Sequence, residues 1–100
     1  MKHQILVTVG SSDITVVPSE LTMTSLDEVR WEATNGRTFS VVFDGNGPFA
    51  QPQLGYSLAA TSQRPTIGGH FKYSVVSDEN PKVALDPIII VEEPPSQTKP

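Results

Sequence analysis

Glu28-Val29-Arg30-Trp31-Glu32-Ala33-Thr34, then Asn35-Gly36, then Thr38-Phe39-Ser40-Val41-Val42-Phe43, is the stretch that decides the fold. In the first run Val29, Trp31 and Ala33 alternate with charged or polar residues. That period of two marks a strand with one face in a core and the other in water. The second run places Phe39, Val41 and Phe43 on one face in the same way. Asn35-Gly36 between the runs is a strong turn dipeptide. The two runs are expected to form a hairpin or a tight corner. Trp31 could line a ligand groove, but its alternation with Val29 and Ala33 assigns it to the core.

The same signature recurs on either side. Gln4–Val9 and Ile14–Val17 read as strands separated by the turn Gly10-Ser11-Ser12-Asp13. Pro18 interrupts before Leu21–Thr24, which suggests an edge strand that bends or switches sheets. His70–Val76 alternates with Phe71, Tyr73 and Val75 on one side. Asp86–Glu92 carries Ile88-Ile89-Ile90-Val91, a run expected of a strand covered on both faces. Asp44–Gly69 is less regular. Asp44-Gly45-Asn46-Gly47-Pro48 reads as a turn, and Tyr56–Thr61 as a short strand or one helical turn. Nine prolines and seven glycines punctuate the chain, which suits short strands and turns better than helices. About seven strands in one domain over residues 1–92 predict an all-β, two-sheet sandwich. Residues 93–100 read as a Pro-rich flexible tail.

Composition argues against several function classes. The chain has 100 residues, enough for one domain and one core. Its 11 acidic and 7 basic side chains give a net charge of −4, and the basic residues are scattered from Lys2 to Lys99. A nucleic-acid partner needs a basic stripe for phosphate contacts, and none is present. With no cysteine there are no disulfides, thiolate metal sites or thiol nucleophiles. No apolar run approaches the ~20 residues of a membrane helix. Ile5–Val9 is too short for the apolar part of an export signal, so with no signal peptide in this chain the cytoplasm is the expected compartment.

The order of these segments resembles plastocyanin-type cupredoxins. Ile14-Thr15-Val16-Val17-Pro18-Ser19-Glu20-Leu21-Thr22-Met23-Thr24 is similar to the family's second strand, with its Pro and polar alternation. Asp27-Glu28-Val29-Arg30-Trp31 resembles the acidic strand that follows. Phe39-Ser40-Val41-Val42-Phe43-Asp44 resembles "H-N-V-V-F-D", and Gly69-His70-Phe71-Lys72-Tyr73-Ser74-Val75 resembles "G-x-Y-x-F-x-C". Ile88–Glu92 resembles the closing strand. The resemblance covers roughly residues 4–92 apart from the middle, and it implies a Greek-key sandwich.

The same resemblance implies where copper would be held. Blue copper needs two imidazoles and a thiolate, with a weak axial ligand. Carried over by position, the first His falls on Phe39, the Cys on Val75, the second His on Asp78 and the axial Met on Val83. Phe39 shares parity with Val41 and Phe43, and Val75 with Phe71 and Tyr73, so both are expected to point inward. The site is expected to be filled with hydrocarbon, with no cofactor.

Other chemistry is thin. No Gly-x-Ser-x-Gly elbow occurs. Asp27-Glu28, Asp78-Glu79 and Glu92-Glu93 are adjacent residues, which point apart on strands and read as solvated surface. Asp44-Gly45-Asn46-Gly47 lacks the spaced acids of a calcium loop. The expectation is a non-enzymatic, metal-free module for protein interaction or structural support. Its candidate contact residues are Phe49, Leu54 and Tyr56, loop apolar groups that either meet a partner or cap the sandwich. Two alternatives remain open. One is metal binding by His3 and His70 with a carboxylate such as Asp78 or Glu93. The other is carbohydrate binding through loop aromatics. Another protein is the expected partner; oligomeric state is not specified.

Overall fold

Alternating runs become strands wherever one face can be buried. The computed structural model describes residues 1–45, 47–80 and 82–92. Asn46, the tail over 93–100 and the candidate ligand Glu93 lie outside the described residues. The elements are β1 (Lys2–Val9), β2 (Ile14–Val17), β3 (Glu20–Thr24), β4 (Glu28–Ala33), β5 (Phe39–Phe43), β6 (Gln53–Leu54), the one-turn helix α1 (Tyr56–Ala59), β7 (Gly69–Ser77), β8 (Ala84–Leu85) and β9 (Ile88–Glu92). Seven strands have four residues or more, and β6 and β8 are two-residue additions.

The first sheet has the order β2-β1-β4 and the second β3-β9-β7-β5-β6, with β8 beside β7. Pro18 and Ser19 carry the chain from β2 in one sheet to β3 in the other, the switch that Pro18 suggested. β4 and β5 are a corner rather than a hairpin. β4 runs parallel to β1, whereas β5 runs antiparallel to β7 in the opposite sheet. Gly36 takes the positive φ of +80° that the corner requires.

The core lies between the sheets. Trp31 from β4 and Tyr73 from β7 are fully buried and meet across it, with Trp31 Nε1 donating to Tyr73 Oη at 3.2 Å. Their rings stand nearly perpendicular, with centroids 5.7 Å apart. Edge-to-face pairs of this kind contribute about 0.5–1.5 kcal/mol beyond burial. Burial pushes the Tyr73 phenol above its ordinary range, and the Trp31 hydrogen bond only partly opposes it.

The irregular middle closes one side of the sandwich. Gln63 exchanges backbone hydrogen bonds with Val29 at 2.9 and 2.7 Å, which covers part of the β4 edge. Gly47 lies flat on Phe43: a Cβ there would sit 2.5–2.9 Å from three atoms of that side chain. Only glycine lets the loop approach so closely. In β9, Ile89 and Val91 are buried, but Ile88 and Ile90 are half-buried on an outer face. The expectation of a strand covered on both faces is therefore corrected. β9 lies between β3 and β7 in the sheet, yet among the described residues no element lies over its outer side.

Candidate functional site

Backbone pairing gathers the four ligand-equivalent positions at one corner. Phe39 opens β5 and pairs with Ser77 at the end of β7, two residues from Val75. The Asp78 N–H donates to the Thr38 carbonyl at 3.3 Å, and the Ser77 N–H donates to the Val83 carbonyl at 3.0 Å. Phe39 and Val75 have no exposed surface, and Val83 is 8% exposed. The inward parity read from the sequence is what the strands adopt. The Phe39 ring meets Tyr56 of α1 edge-on, with centroids 5.3 Å apart.

These residues do not fit a copper ion. Phe39, Val75 and Val83 have no donor atom for one. Asp78 is exposed, and its carboxylate accepts the Ser40 hydroxyl hydrogen at 2.8 Å. A single monodentate carboxylate is a poor match for a soft, imidazole- and thiolate-seeking copper. Replacing the packed ring pair with an ion would also require opening a dry part of the core.

The candidate contact residues fall largely inside. Phe49 is 5% exposed and packs its ring against Trp31 and Phe43, with centroids 6.0 and 5.6 Å away. Leu54 is 1% exposed, because β6 pairs it with Val41 over the core. Tyr56 is half-buried against Phe39. Of the two roles open to these residues, the burial of Phe49 and Leu54 matches capping of the core. The few large apolar side chains of this segment gain more by folding over the open side of the core than by facing water. All seven aromatic side chains are buried or half-buried, so none forms an open platform of the kind a sugar ring stacks on.

The two histidines are not brought together. His3 lies on β1 of the first sheet, whereas His70 is exposed on the outer face of β7 in the second. Asp78 follows the far end of β7, eight residues from His70, which is roughly 26 Å along an extended strand. Among the described residues, no three His, Cys, Asp or Glu side chains cluster as metal ligands would.

His3 instead has a partner the sequence did not suggest. The parallel register sets Lys2 beside Glu28 and His3 beside Val29, so Asp27 lies just ahead of β4 within reach. His3 Nε2 is 3.0 Å from Asp27 Oδ2. An ionised carboxylate only accepts, so this nitrogen carries the hydrogen. The same oxygen accepts the Thr24 N–H at 3.0 Å, and Oδ1 lies 3.1 Å from the Met1 ammonium. The His3 hydrogen bond, followed by the Thr24 N–H, holds Asp27 well below the usual carboxylate range against the opposing effect of burial. The cluster ties the β3–β4 turn to the start of β1. A 24-residue separation hides such a pair until the parallel pairing is known.

No protein-family model and no curated protein matches the sequence. Solved structures do match in shape. A Sinorhizobium pseudoazurin aligns over 96% of this chain and 78% of its own, with a TM-score of 0.60 and 14% identity. A mutant amicyanin, solved in its reduced Cu(I) form at pH 4, aligns over 88% of this chain and 81% of its own, with a TM-score of 0.53 and 18% identity. The chain is a cupredoxin-like β-sandwich, without the His, Cys and Met set that the resemblance calls for at positions 39, 75, 78 and 83.

Proposed function

We propose that this chain is a metal-free, non-catalytic cupredoxin-like module that serves protein interaction or structural support. One observation carries the reading: the corner where ligands would converge is filled by buried Phe39, Val75 and Val83, with the Phe39 ring packed edge-on against Tyr56. Each such side chain stabilises the fold by about 1.5–3 kcal/mol when buried, so the corner contributes to stability in the absence of any ion. A rigid sandwich then offers only its outer faces and turns to other molecules. Isothermal titration with Cu(II), Cu(I) and Zn(II) tests the reading. It expects no stoichiometric binding at micromolar or tighter affinity. A tight 1:1 isotherm would sink it: one lost on substitution of His3 and His70 would favour the histidine–carboxylate alternative, and one that survives both substitutions would make the corner the first place to look for the ion.

A further inference from the structure

The outer faces of the two sheets differ in how their charges are used. On the second sheet, backbone register lines up Glu20 of β3, Ile88 of β9 and Lys72 of β7 in one row, and Thr22, Ile90 and His70 in the next. All of these face away from the core. Ile88 and Ile90 are half-buried, while Glu20, Thr22, Lys72 and His70 are exposed. Val76 of β7 and Val42 of β5 extend the half-buried aliphatic surface beyond them. A solvated sheet face normally carries polar residues at such positions. Among the described residues, neither Glu20 nor Lys72 takes part in an ion pair. Asp86 sits beyond Ile88 and is held by the Ser74 hydroxyl at 2.9 Å.

This arrangement of acid, isoleucine and base is complementary to itself. Place a twofold axis along β9, parallel to the strands and just above the face. It sets Ile88 and Ile90 over their own counterparts, and sets β3 of each copy over β7 of the other. Glu20 then faces Lys72 twice. A twofold across the strands would instead set acid over acid. Resting on the module reading above, we propose that this face pairs with the same face of a second copy of the chain, about the axis parallel to β9. Face-to-face sheets stand ~10 Å apart, within reach of a Glu–Lys contact. Four strands of about five residues give a flat footprint of roughly 300 Å² per copy, so the dimer belongs with small, transient interfaces. Glu92 ends β9 near the axis and faces its own counterpart, which limits the affinity.

Sedimentation equilibrium of the full chain, from micromolar to millimolar, tests the proposal. Wild type should show a monomer–dimer equilibrium. Lys72→Glu and Glu20→Lys should each weaken it about tenfold or more, and the double reversal should restore it, because each charge then again meets its opposite across the axis. Glu92→Gln should tighten it. Ile90→Lys should abolish it, with circular dichroism and the thermal midpoint showing that the variant remains folded. A monomer throughout the range overturns the proposal, as does a dimer whose affinity the double reversal fails to recover. Either result leaves the metal-free reading standing, since that reading falls only to the metal titration.

Discussion

At the end of the sandwich where β5 begins and β7 finishes, the residues in the ligand-equivalent positions are mainly hydrocarbon. At the opposite end, where β1 and β4 begin, the imidazole of His3 and the carboxylate of Asp27 are 3.0 Å apart. The first end gathers the four ligand-equivalent positions, but its one donor is the exposed carboxylate of Asp78. The second has donors, yet one oxygen of Asp27 is already shared between His3 and the Thr24 N–H, and its partners hold a turn in place. The comparison teaches that donor type and donor placement are separate requirements. Here the ligand-equivalent corner is packed by buried Phe39, Val75 and Val83, and the donors His3 and Asp27 lie at the other end.

If the first end is core, cutting into it should have the largest effect. Phe39→Ala removes a fully buried ring that also supports Tyr56, and should cost about 3–5 kcal/mol in urea unfolding. A loss under 1 kcal/mol would mean the corner is loosely packed and open to other occupants. Val75→Thr tests whether it is dry. The swap keeps the shape and adds a hydroxyl with no designated partner, so a cost of about 1–3 kcal/mol is expected.

The second end should respond less to substitution and more to pH. Asp27→Asn keeps the shape and loses charge-assisted hydrogen bonds in a partly solvated place, for a cost of about 1 kcal/mol at pH 7. Because the folded-state pKa of Asp27 is depressed, its contribution is fully present above the unfolded value of about 3.9 and is lost as pH falls below it. Wild type should therefore lose its advantage over Asp27→Asn between pH 5 and the acid limit. If the two stability profiles run parallel there, the Asp27 cluster contributes nothing specific.

Much of this contrast was legible in the chain itself. Parity alone placed Phe39 and Val75 inward, because a strand has no choice but to alternate. Pro18 marked the change of sheets, because it cannot donate to a ladder. What the chain concealed depends on distant partners. Asn35-Gly36 serves a hairpin and a corner equally well, and only the pairing of β4 with β1 decides between them. Phe49 and Leu54 lie in an irregular segment whose burial is set by what it folds over, here Trp31, Phe43 and Val41. The His3–Asp27 pair arises from a parallel register between strands more than twenty residues apart. Ile88 and Ile90 belong to an apolar run that looks doubly buried, yet only its inner half is covered.

Rebuilding the ligand set tests the central claim most directly. The variant carrying Phe39→His, Val75→Cys, Asp78→His and Val83→Met puts two imidazoles, a thiolate and a thioether on positions that the structure gathers at one corner. With its fold checked by circular dichroism, it should bind one copper and show the intense visible thiolate-to-copper absorption of a type 1 site. Wild type under the same conditions should bind none there. A folded variant that takes up no copper, or a wild type that binds copper at this corner, would contradict the account.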